Sequence, residues 1–242
     1  MGEPLIVETS LGGVPVWGAF ESDRPVVLGI SGAFPLEDGM AGLVVEGADS
    51  ASLHLPGMFS PVTAELSVAA FARAFDEVVG QLFARRAVIV VGASTGAVVA
   101  LAMKAPQIRG VVAAEPFFST GKLWPLLEWL LRHELPRNPD PVMRRWVDAI
   151  FGVTEGGVTD RNYTFVLDRK DRPVIALAGA EPLHPRRPVT DFPSLMSEAD
   201  RDLLPPRVVA GGHEIPMSAL RAAAAELLGR TIGPRASDAP EA

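Results

Sequence analysis

The sequence contains no cysteine. Disulfides, thiolate zinc sites, iron–sulfur ligation and a cysteine nucleophile are excluded together, and a reducing compartment fits. Histidine is scarce, at four residues, and none stands in an H-x-H or H-E-x-x-H spacing. Clustered carboxylates are missing as well, so neither a metal nor another cofactor is expected. Positive charge is in deficit. Twenty-two Lys and Arg face 29 Asp and Glu, a net charge of −7, which leaves no basic stripe to neutralise nucleic-acid phosphates. No run reads as a membrane span. The nearest, residues 87–103, is 17 uncharged residues long, but Gly92-Ala93-Ser94-Thr95-Gly96 at its centre reads as a sharp turn. The first residues carry Glu3 and Glu8 and lack a basic region ahead of an apolar core, so no signal peptide is expected. These absences together predict a cytoplasmic protein.

What is present suits one large domain. Hydrophobic residues at 48% and charged residues at 21% are globular values, and a chain of 242 residues buries about three-quarters of its unfolded surface. Residues 5–17, with Gly12-Gly13 at the centre, read as a hairpin. Residues 25–30 form a continuous apolar run, as in a strand buried on both faces, and 51–55 a weaker strand. From 63 to 83 the period becomes helical, with Val68, Phe71, Phe75, Val78 and Leu82 three or four apart. Further strands are predicted at 87–91, 111–114, 174–178 and 207–210, with helices over 95–104 and 216–228. Strands alternating with helices predict an α/β fold, a mostly parallel sheet covered on both faces.

About sixty residues between the strands at 111 and 174 break the alternation. They hold Trp124, Trp129 and Trp146, an apolar segment over 123–131, and a helix start at Asp140-Pro141. This insert is read as a helical lid roofing a pocket, against the alternative of a satellite core. The expected division is a core of 1–118 and 171–230, a lid of 119–170 and a disordered tail of 231–242.

The informative motif is Gly92-Ala93-Ser94-Thr95-Gly96. A serine hydroxyl becomes a useful nucleophile when it stands clear of its neighbours, beside a base and near backbone N–H donors. A tight strand-to-helix turn achieves this, and it needs glycine two residues before and after, where a side chain would collide with the strand and helix. Here the expected strand precedes the motif and the expected helix follows it. A phosphate-binding turn is the competing reading, but no lysine follows and the G-x-G-x-x-G spacing is absent.

With these residues the chain resembles the α/β-hydrolase superfamily, from about residue 5 to 229. VVGASTGAVVALAMKAPQIRGVVAAEP looks like that family's elbow strand, helix and following strand, and SLHLPGMFSP like the loop ahead of its long helix. The resemblance implies a helical cap where the tryptophan-rich insert falls, an acid after the next strand and a histidine after the last. His213 follows the last predicted strand and takes the base position, with His184 in reserve; His54 lies at a strand end and His133 in the insert. The acid is expected at Glu181, two residues after Gly179, with Glu115 and Asp191 as rivals. Backbone N–H groups of Thr95 and Ala33 are the implied oxyanion hole. The implied function is a serine hydrolase acting on an ester, thioester or related acyl bond of an apolar small molecule. A binding protein or a cofactor-free lyase on the same fold are the alternatives.

Overall fold

The computed structural model describes residues 3–20, 22–33, 40–57, 65–129, 132–133, 136–137, 140–154, 156–168, 171–181 and 194–232. The predicted hairpin opens the chain: β1 (Leu5–Thr9) and β2 (Gly12–Ala19) pair antiparallel. β3 (Val26–Ile30), β4 (Asp49–Leu53), α1 (Val68–Leu82), β5 (Val88–Ala93), α2 (Thr95–Ala102) and β6 (Ile108–Ala114) follow. The insert contributes α3 (Trp124–Trp129), α4 (Pro141–Phe151) and a two-stranded ribbon of β7 (Val153–Thr154) and β8 (Gly157–Val158). The chain returns through β9 (Val174–Gly179), α5 (Glu198–Leu203), β10 (Arg207–Val209) and α6 (Met217–Ile232). The main sheet has eight strands in the order β1-β2-β4-β3-β5-β6-β9-β10. From β4 to β10 every pairing is parallel; β2 runs against both of its neighbours.

Period-two burial explains why helices cover both faces. Val26, Leu28 and Ile30 lie on the face that packs with α1 and α2, while Val27, Ile89 and Val91 meet Leu220, Ala224 and Leu227 of α6 on the other. α1 starts where Ser67 Oγ accepts the Ala70 N–H at 3.1 Å, and it buries Phe71, Phe75 and Val78. α2 is buried on all sides, which its small, uncharged residues permit. Observed ends differ from the expected ones by a few residues, as at β4 and β6. α5 was not anticipated at all.

The insert does not form a core of its own. Leu123, Leu127, Ile150 and Phe151 join the same buried cluster as α1 and α2. Trp146 is fully buried, stacks on Phe71 with ring centroids 6.3 Å apart, and donates its indole N–H to the Pro56 carbonyl at 3.2 Å. α4 begins as the sequence suggested, with Asp140 accepting the Val142 N–H at 2.8 Å and Pro141 in the first turn. The side chain of Trp124 and residues 233–242 lie outside the described residues. No helix among the described residues is long and apolar enough to cross a membrane.

At the N-terminal edge of the sheet one guanidinium ties several loops. Arg86 Nη2 meets Asp49 Oδ2 at 2.6 Å, while Nε and Nη1 donate to the carbonyls of Arg24 and Phe20 at 2.6 and 2.7 Å. Burial would raise the Asp49 carboxyl; hydrogen bonds from Ser22 and Arg86, with the Arg86 charge, outweigh it and hold the group below its ordinary 3.8. Arg86→Met should lower stability by about 2–3 kcal/mol in urea denaturation, because the carboxylate and two carbonyls lose their donor. The folded pKa lies below the unfolded value, so the contribution of Asp49 is complete above 3.8 and is lost as pH falls below it. The stability gap between wild type and Asp49→Asn should therefore close in acid.

Candidate active site

β5 ends at Ala93 and α2 begins at Thr95, leaving one residue to reverse the chain. That residue, Ser94, has φ 54° and ψ −123°, a conformation L side chains adopt only under constraint. The constraint is the close approach of α2 to β3 and β5. A Cβ on Gly92 would lie 2.3 Å from the Gly96 carbonyl oxygen, and one on Gly96 would lie 2.4 Å from that of Ser31. Only glycine fits either place, which is the physical content of the G-x-S-x-G spacing. The Ser94 N–H donates to the Ala114 carbonyl at 2.8 Å, anchoring the turn to β6, and its side chain makes no capping bond to α2. The hydroxyl is thus not consumed by the helix it precedes.

The loop after β3 passes over this turn. A Cβ on Gly32 would be 3.0 Å from Ser94 Cβ and 3.7 Å from its Oγ, so the backbone leading to Ala33 runs beside the Ser94 side chain. Ala33 is half-buried; residues 34–39 lie outside the described residues. Thr95 is fully buried at the start of α2, where first-turn N–H groups have no partner within the helix.

The acid candidates separate sharply. Glu115 directly follows β6, with φ 54°, and is 1% exposed. Its Oε1 accepts the Gly179 N–H at 2.5 Å and the Ser194 hydroxyl at 2.7 Å. Its Oε2 accepts the Leu195 N–H and lies 4.0 Å from His213 Nδ1. Glu181, the sequence-based choice, is exposed beyond the end of β9, and its backbone carbonyl accepts the Ser194 N–H at 2.6 Å. Asp191 and His184 lie outside the described residues.

His213 follows β10, and its side chain keeps 22% exposure. Its loop is held against β9: Ala180 N–H donates to the Gly211 carbonyl at 2.9 Å, and a Cβ on Gly179 would be 2.3 Å from the Gly212 oxygen. The other two described histidines are packed on tryptophan, His54 edge-on to Trp17 at 4.7 Å and His133 beside Trp129 at 5.8 Å. Ser94, Glu115 and His213 all follow the C-terminal ends of strands, on β5, β6 and β10. The parallel pairings of β5, β6, β9 and β10 bring these ends to one rim.

Sequence reasoning missed the segment behind Glu115. Ser194, Leu195 and α5 close over Glu115, and Ser197-Glu198-Ala199-Asp200 is a capping box in which Ser197 Oγ accepts the Asp200 N–H at 3.2 Å. That S-x-x-D spacing was the available signal. Among the described residues no group of three His, Asp or Glu is arranged to hold a metal ion.

A model of the alpha/beta hydrolase family matches residues 27–236. Among solved structures, the chain is similar to a proline iminopeptidase-related protein from Thermus thermophilus, at 20% identity and TM-score 0.64, covering 95% of this chain and 98% of that one. It is also similar to a thioesterase domain from the curacin biosynthetic pathway, at 19% identity and TM-score 0.61, covering 93% and 99%. The carboxylesterase CesB from Bacillus subtilis aligns at 15% identity and TM-score 0.62, over 97% of this chain and 93% of its own. At these identities the likeness is one of fold. A search of the curated proteins found no match.

The turn's dependence on close packing is open to test. Gly96→Ala should lower stability by at least about 2 kcal/mol in urea denaturation, since the added methyl meets backbone that cannot move aside. Gly80→Ala in α1, where a Cβ meets nothing within 4 Å, should stabilise by about 0.5–1 kcal/mol.

Proposed function

The chain belongs to the α/β hydrolase family, and from that premise we propose that it is a serine hydrolase cleaving ester, thioester or related acyl bonds. The observation that carries this reading is Ser94 at φ 54° on the strand-to-helix turn, a strained position that serves to present a hydroxyl. Ser94 Oγ attacks the acyl carbon while His213 Nε2 takes its proton, and the N–H groups of Ala33 and Thr95 receive the oxyanion. His213 then returns the proton to the leaving group, and water repeats the sequence on the acyl-enzyme.

Glu115 is the better choice of acid than Glu181. It is buried, its Oε1 is occupied by protein donors, and its Oε2 is turned to His213 Nδ1 at 4.0 Å. A separation of that size tightens to a hydrogen bond when substrate binds and positive charge develops on the imidazole. The insert of residues 119–170 is assigned as a lid over this rim, presenting an apolar surface to the acyl group; Trp146 takes no part in that surface, being committed to the core.

A fluorophosphonate probe should label the wild-type protein and leave Ser94→Ala unlabelled with its fold intact by circular dichroism. Wild-type protein that resists the probe would move the reading to a binding protein on the same fold. For the acid, Glu115→Gln should lower kcat by up to about 10⁴-fold with little change in KM, while Glu181→Gln stays within about threefold of wild type. The reverse order would return the role to Glu181.

A further inference from the structure

Ser94, His213 and Glu115 do not exhaust the polar network at this rim. A carboxylate that is 1% exposed must have its charge compensated, yet among the described residues no lysine or arginine lies within 4.0 Å of Glu115. Compensation comes from dipoles, and the two residues that supply them to Oε1 are both held by one cation. Arg201 Nη2, from α5, donates to Ser194 Oγ at 3.2 Å and to the Gly179 carbonyl at 3.1 Å. Ser194 Oγ and the Gly179 N–H are the two donors to Glu115 Oε1. The guanidinium thus donates directly to the first and holds the residue of the second by its carbonyl, which belongs to the next peptide group.

Counting protons on the Ser194 hydroxyl gives this arrangement a direction. The oxygen has one hydrogen and two lone pairs. Arg201 Nη2 and the Met196 N–H, the latter at 3.3 Å, both donate to it. With the lone pairs taken, the single hydrogen has Glu115 Oε1 as its acceptor at 2.7 Å. Gly179, which Arg201 holds in place by the carbonyl on the far side of its Cα, presents its N–H to the same oxygen. Oε1 is saturated, the carboxylate cannot rotate without breaking both bonds, and Oε2 is left as the oxygen that meets His213.

Resting on the assignment of Glu115 as the acid, we propose that Arg201 is a positioning residue of this site, acting through the Ser194 hydroxyl and by anchoring the Gly179 backbone to fix which carboxylate oxygen faces His213. It touches no reacting atom. Among the described residues, the titratable and charged groups that are not exposed on the elements packed around Glu115 are His213 on the loop after β10 and Arg201 on α5; Asp200, also on α5, is engaged by Ser197 and the Phe118 N–H. Loss of the Arg201 charge leaves the Glu115 carboxylate less compensated, so it holds the His213 proton more tightly. The acid limb of the rate profile, which reports His213 giving up its proton, then moves to higher pH.

The test compares wild type with Ser194→Ala, Ser194→Thr, Arg201→Met and Arg201→Lys, reading fluorophosphonate labelling rate and the pH dependence of kcat/KM for a p-nitrophenyl ester. Ser194→Ala and Arg201→Met should each lose about 10- to 100-fold in labelling rate and kcat, with KM within about threefold and the acid limb raised. Ser194→Thr, which keeps the hydroxyl, and Arg201→Lys, which keeps the charge, should recover part of the loss. Should Arg201→Met fail to fold, Ser194→Ala carries the test alone. Wild-type labelling rate and an unmoved acid limb in folded Ser194→Ala would overturn the proposal, as would losses confined to thermal stability. A wild-type protein that does not label at all would sink the serine-hydrolase reading instead, which keeps the two failures apart.

Discussion

The contact on which the site depends is the one between the first turn of α2 and the ends of β3 and β5. Two glycines allow backbone to meet backbone there, with carbonyl oxygens 2.3–2.4 Å from where side chains would begin. That approach leaves one residue to change from strand to helix, so Ser94 takes a positive φ and its hydroxyl stays out of the helix cap. The strain is of order 1–3 kcal/mol, and the fully buried α2 beside it offsets the cost through packing on both strands. Stability is given up at one residue and recovered over the eight that follow.

A parallel sheet then decides what else can reach that serine. All side chains beyond the C-terminal ends of β5, β6, β9 and β10 share one rim, so an acid or base may come from any of them. Glu115, after β6, stands one strand nearer to Ser94 than Glu181, after β9. Glu115 also adopts a positive φ, so two residues on adjacent strand ends hold this unusual conformation, and no other described non-glycine residue does. Both are where the polypeptide leaves the sheet with its side chain turned back towards the rim.

The sequence was informative wherever a local pattern carried the physics. The G-x-S-x-G spacing, the helical period of α1, the Asp140-Pro141 cap and the apolar strands all express constraints between residues a few positions apart. Glu115 could not be chosen over Glu181 in the same way. The donors that distinguish them, Ser194 and Leu195, stand 79 and 80 positions away from Glu115. Trp146 misled for a related reason: an indole in an amphipathic helix reads alike whether it faces a pocket or Phe71, and only the tertiary contact separates the two. α5 is short and polar, and its capping box was legible, but nothing local tied Arg201 to Glu115.

The two ends of the sheet treat a carboxylate in opposite ways, and the difference bears on function. Asp49 at the N-terminal edge is paired directly with a guanidinium and a hydroxyl. Its charge is neutralised in place, which suits a carboxylate whose task is to hold loops together. Among the described residues Glu115 meets no Lys or Arg directly; Arg201 stands behind the Ser194 hydroxyl and anchors Gly179 by its carbonyl. A guanidinium in direct contact would cancel the charge that an imidazolium needs and compete with His213 for Oε2. On the proposed assignment, Arg201 held at second remove fixes the geometry while the carboxylate keeps its negative charge for the moment a proton arrives on the histidine. Direct pairing suits a structural acid; indirect pairing suits one that must stabilise a charge appearing only during reaction.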